Sequence, residues 1–201
     1  MTRKSNTEQR RSEIVRALQT TLARHGYEGA TIQLIAAEAG LSPGLIHYHY
    51  RDKREILIGL IAALHDYVQQ RFARVAEGVS EPRQRLRAYI DARLGLGRGA
   101  QPDAVAAWVA IGAEAIRQPE IREVYQEAIA AELRLVRDLI ADYLESEHKS
   151  RDSAPRLASV LMAFFEGAFQ LSAAARRVMP KGYAADAAMQ LVECFVEREK
   201  Q

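Results

Sequence analysis

TIQLIAAEAGLSPGLIHYHYRDK, residues 31–53, decides how the rest of the chain is read. Thr31 is a good helix N-cap, and Ile32, Ile35, Ala36 and Ala39 follow at the spacing of one helical face. Gly40 stops that helix. Ser42 caps the next one, with Pro43 at its first position, where a missing N–H costs nothing. Ile46 and Tyr50, four residues apart, predict its buried side. The result is two short helices joined by a tight turn, the second opening on small residues and closing on His47, Tyr48 and His49. This is the pattern of a helix-turn-helix, whose second helix enters the major groove of double-stranded DNA by its N-terminal end. Residues leading into a groove must be small or able to hydrogen-bond, and Ser42, Pro43 and Gly44 satisfy that. His47 shares their exposed side. Tyr48 and His49 flank it with further donors, while Thr31 and Lys53 stand at neighbouring helix starts within reach of phosphates.

Upstream, Ile14, Val15, Leu18 and Leu22 form one apolar stripe and predict a first helix from about Thr7 to His25, stopped by Gly26. Downstream, Asp52 caps a long helix over 53–77. Further helices are expected over 82–96, 102–118, 119–148, 155–176 and 183–199, three of them opened by Pro82, Pro102 and Pro119. No segment alternates apolar and polar residues over a useful length. The expectation is an all-α fold of about nine helices, with a three-helix head over 1–52 and a helical body over 53–201. HKSRDSAP (148–155) reads as a polar loop. GLGRGA (95–100) reads as a flexible connection, because a glycine loop without a preceding strand lacks the context of a phosphate site.

The 201 residues are 48% hydrophobic, enough for a sizeable core rather than disorder. No run of about 20 uncharged apolar residues exists, so no membrane span is expected. The opening MTRKSNTEQRRSE has no apolar stretch of the secretory kind. Cys194 is the single cysteine, which fits a reducing, cytoplasmic setting and a place as a small apolar residue in a packed helix. The net charge of +2 is uneven: residues 1–54 hold nine Lys/Arg against five Asp/Glu. A basic head on a slightly acidic body suits a polyanion. No Ser/His/Asp, Cys/His or HExxH arrangement is present, so neither an enzyme nor a cofactor is expected. His47 and His49 diverge by roughly 200° on a helix, which argues against a metal pair.

The segment GLSPGLIHYHYRDKREIL (40–57) resembles the signature of the TetR family of transcriptional regulators, and the similarity spans about residues 10–60. It implies that Thr31, Ser42, Pro43, Gly44, His47, Tyr48, His49 and Lys53 contact DNA. The family often has Tyr where this chain has His47, and either side chain can hydrogen-bond a phosphate. AAWVAIGAEAIRQPEI (106–121) is similar to the BetI-like subgroup, which includes choline-responsive repressors. That resemblance implies a C-terminal body that binds a small molecule and dimerises.

A quaternary ammonium needs an aromatic cage, because ring faces replace its lost hydration. Trp108, Tyr89, Glu114, Phe165 and Phe169 are the expected ligand residues, with Tyr125, Phe164 and Glu166 as further candidates. Position 111, where another aromatic would be sought, is Ile. The segments 155–176 and 183–199 are apolar around much of their circumference and must be buried twice. Two copies of that pair would make an isologous four-helix bundle, and hence the expected homodimer; the alternative is a hairpin buried entirely inside one protomer. The expected function is a repressor that binds a palindromic operator as a dimer and is released by a small-molecule effector. The alternative is an architectural DNA-binding protein without ligand control, with a filled body and no preferred site.

Overall fold

In the computed structural model, which describes residues 3–95 and 101–199, the elements follow from their caps. Helix α1 spans Arg3–Gly29 and buries Ile14, Leu18 and Leu22 on one side. Gly26 interrupts it with φ 68° and ψ 179°, a left-handed φ that favours glycine. The stop expected there is thus a break, followed by one further turn; at the other end the helix begins four residues before Thr7. Helix α2, Ile32–Ala39, is capped by Thr31, whose hydroxyl accepts from Leu34 N at 3.2 Å. Gly40 ends it in the left-handed region (φ 66°), and Leu41 N returns to Ala36 O at 2.9 Å. Helix α3, Pro43–His49, is capped by Ser42, which accepts from Leu45 N at 3.3 Å.

Helix α4, Lys53–Val75, starts where Asp52 Oδ1 accepts from Glu55 N at 2.8 Å. Helix α5 spans Pro82–Leu94, and its cap is Glu81, whose carboxylate takes the amides of Arg83 and Gln84, both at 2.8 Å. Helices α6, Pro102–Arg117, and α7, Pro119–Ser146, are separated at Gln118 by extended backbone ahead of Pro119. Arg122 closes this corner by donating to the terminal carbonyls Ala115 O (2.9 Å) and Ile116 O (2.6 Å). The polar loop expected at 148–155 contains a 3-10 turn, Arg151–Ser153, that leads into α8, Ala154–Ala174. Helix α9 spans Tyr183–Arg198. Of the connection expected at 95–100, Gly95 is the extended cap of α5; the remainder lies outside the described residues. No strand occurs among the described residues.

Packing divides the chain into two compact units, one within 1–66 and 101–128, the other within 67–100 and 129–201. In the first, α1 packs on α2, α3 and α6, around Ile14, Leu18, Ile35, Ile46, Ile56 and Leu60. In the second, α5, α8 and α9 pack together, with Tyr89, Ile90, Phe165 and Val192 fully inside. Each such side chain contributes about 1.5–3 kcal/mol through burial. The boundary expected between 52 and 53 divides the chain by role, whereas this division follows contacts and groups α6 with the head. Among the described residues one segment, Arg151–Ala174, is long and apolar enough to cross a bilayer by length and composition, although no span was expected. Arg156 and Glu166 interrupt its apolar run.

Candidate nucleic-acid interface and the aromatic clusters

Helix α3 is seven residues long, too short to be stable alone, and Ile46 and Tyr50 anchor it in the first unit. Its other side is open. Ser42, Pro43, Gly44, His47 and Tyr48 are all exposed, and the Tyr48 side chain is 72% exposed, an unusual state for a large aromatic. The Tyr48 ring meets His49 edge-on with centroids 5.0 Å apart. A Cβ added to Gly44 would meet no atom within 4 Å, and its φ is outside the left-handed region. No internal contact therefore requires glycine there. Thr31 is exposed at the start of α2. These residues form the surface that helix-turn-helix geometry demands, with donors beside a place for close approach.

Lys53 is more deeply engaged than a free phosphate-binding cation. Its Nζ donates to Tyr27 O at 2.6 Å and lies 4.0 Å from the Tyr27 ring centroid. Burial lowers its pKa, opposed by the negative fields of Glu28 and Glu114. The ammonium retains donors beyond the one given to Tyr27, since it has three. Arg51, not singled out by its position in the motif, has a side chain 86% exposed and pairs with Glu55 at 3.6 Å. Arg11 lies outside the motif, on α1. It donates to His49 O at 2.5 Å and lies against Tyr50 and Glu55. Its signal was its register, four residues ahead of Val15 on the inward side of α1.

The expected ligand residues fall into two clusters. In the first unit Trp108 is buried and stacks at a tilt on Tyr125, with centroids 4.9 Å apart. Gly112 allows this, because a Cβ there would lie 3.3 Å from the Tyr125 hydroxyl. Glu114 is buried and accepts from Gln118 Nε2 at 3.0 Å, with Arg117 3.8 Å away. In the second unit Tyr89 packs between Phe72 (5.4 Å) and Phe165 (6.2 Å). Its hydroxyl donates to Glu132. Arg93 Nη2 donates to Glu132 Oε2 at 2.8 Å, reaches Glu166 at 3.6 Å and sets its guanidinium 4.6 Å from the Phe169 ring centroid. Phe169 thus already carries a cation supplied by the chain. Burial, then the Glu132 charge, raises the Tyr89 pKa well above the ordinary 10.0. Neither Arg93 nor Glu132 was anticipated. Both sit in apolar register, Arg93 three residues after Ile90 and Glu132 four before Val136, and a charged residue there signals a buried pair.

A capped helix-turn-helix with an exposed donor face defines a DNA-binding protein of the regulator class. Residues 14–60 match the family described as bacterial regulatory proteins, tetR family, and residues 82–200 match the BetI-type transcriptional repressor C-terminal region. The second match covers more than half of the chain, which therefore belongs to the TetR family of transcriptional regulators, with a C-terminal region of the BetI type. Relatives include the HTH-type transcriptional regulator BetI of Paraburkholderia xenovorans, 28% identical over 159 residues, or 79% of this chain and 78% of that protein. The BetI of Rhizobium meliloti is 31% identical over 115 residues, 57% and 56% of the two chains. A TetR-family regulator from Rhodococcus sp. has a TM-score of 0.82 at 21% identity, covering 94% of this chain and 99% of its own. A regulator from Saccharomonospora viridis, solved in complex with choline, has a TM-score of 0.78 at 24% identity, covering 96% and 100%. At these identities the two structures bear on the fold, which they share with this chain.

Proposed function

We propose that the chain is a repressor that binds a palindromic operator as a homodimer and releases it when a small molecule enters the C-terminal region. The observation that carries the reading is the outward side of α3. Gly44, His47 and Tyr48 are exposed and lie outside the core, and their types suit a groove. Pro43, Gly44 and His47 read bases or shape, while Thr31, Ser42, Tyr48, His49 and Lys53 grip phosphates. Residues 1–52 then serve as the reading head and residues 53–201 as the responding body. Two heads on a twofold axis must present their α3 helices about 34 Å apart, one turn of DNA.

The partner copy docks on the outward sides of α8 and α9, where Val160, Leu171 and Leu191 are exposed. Helix α4 contributes residues to both compact units and begins four residues after α3 ends. A ligand that prefers one placement of α4 shifts the operator-binding equilibrium by that preference alone. An effector cation must compete with Arg93 for the face of Phe169. Selection of bound duplexes from a random pool tests the reading. Enrichment of a twofold-symmetric sequence with half-sites one turn apart is expected, and a pool that stays random would refute it.

A further inference from the structure

We propose that Arg11, on α1, is a positioning residue for DNA recognition, a joint that fixes the direction of the recognition helix α3 without itself touching DNA. The inference rests on the reading of α3 as the helix that enters the groove. A seven-residue helix anchored by two side chains has its direction set from outside. Arg11 supplies that hold through several parts of one residue. Nη1 donates to His49 O, the last carbonyl of α3, at 2.5 Å. Nη2 lies 3.5 Å from Glu55 Oε1 in the first turn of α4. The guanidinium carbon is 4.0 Å from the centroid of the Tyr50 ring, and the Tyr50 hydroxyl returns a hydrogen bond to Arg11 O at 3.3 Å.

The same Glu55 accepts from Arg51 N at 2.8 Å through its other oxygen, which ties the link between α3 and α4 into the joint. Three helices thus meet on one planar fork, a geometry that a Lys ammonium cannot reproduce. The charge also faces the negative end of the α3 dipole. Arg10, its neighbour, is occupied with Glu13 at 2.6 Å. The Arg11 side chain is 41% exposed, so its contribution to bulk stability is small. What it holds is the end of the helix that carries Tyr48 and His49.

The test uses the full-length protein and a duplex selected by the wild type from a random pool. Fluorescence anisotropy then gives affinity for that duplex and for an unrelated one across a salt series, for wild type, Arg11→Ala and Arg11→Lys. Both variants are expected to lose at least about tenfold in the ratio of selected to unrelated affinity, with the salt slope unchanged. Arg11→Lys keeps the charge and the apolar stem, so it reports on the joint even if the alanine variant folds poorly. An unchanged ratio would overturn the proposal. So would a slope that falls by about one in Arg11→Ala and is restored in Arg11→Lys, the signature of a phosphate contact. If the wild type selects no sequence, the reading of α3 fails first, and the two failures are distinguishable.

Discussion

Gly44 separates structural need from functional need at a single atom. A methyl there meets nothing in the chain, and alanine costs a helix less entropy than glycine. Gly44→Ala is expected to raise stability by roughly 0.4–1 kcal/mol in thermal unfolding. The same variant should lose operator affinity, because the methyl occupies space the groove requires. A variant no more stable than wild type, or one that binds operator unchanged, would contradict this assignment. Tyr89 gives a second residue-scale outcome. Its folded pKa is raised above the ordinary 10.0 by burial and by Glu132. For such a group the stabilisation is complete below the unfolded value and is lost as pH rises through the folded one. Unfolding free energy should therefore fall as pH climbs past 10, and Tyr89→Phe should flatten part of that fall; an identical slope in the variant would exclude Tyr89 as a source.

At the scale of elements, the outward faces of α8 and α9 carry the next prediction. Val160, Leu171 and Leu191 are exposed, and a Cβ at Gly167 would have open space within 4 Å beyond its own helix. Leu171 and Leu191 are 41% and 51% exposed and lie outside the core, so the fold should survive Leu171→Glu with Leu191→Glu. Light scattering on the eluted protein should report the monomer mass, and a dimer mass would place the interface elsewhere. Most helix boundaries were legible because they depend on local chemistry. Thr31, Ser42 and Asp52 cap the helices they were expected to cap, and Pro82, Pro102 and Pro119 open theirs. The exposed side of α3 followed from the period of its two anchors. What local reading missed was long-range: Arg11 meets His49 O from 38 residues away, and Arg93 meets Glu132 from 39. Register marks such residues as misplaced, but the partner emerges only from the fold. Lys53 shows the same limit, since its bond to Tyr27 O depends on where the Gly26 break leaves α1.

For the whole molecule, charge and composition distinguish little between a specific regulator and a general DNA-binding protein. The net charge is +2, and a basic head attracts any duplex. Membership of the TetR family accounts for the head, matched over residues 14–60, and the BetI-type C-terminal region accounts for the body over residues 82–200. A specific regulator differs from a general DNA-binding protein in that α3 reads sequence rather than charge alone. The most direct measurement is a side-by-side anisotropy titration of the wild type on its selected operator and on an unrelated duplex of equal length, at matched salt near the physiological value. The operator is expected to bind at least about a thousandfold more tightly, with both affinities weakening as salt rises. Equal affinity for the two duplexes would contradict it and leave the architectural alternative standing.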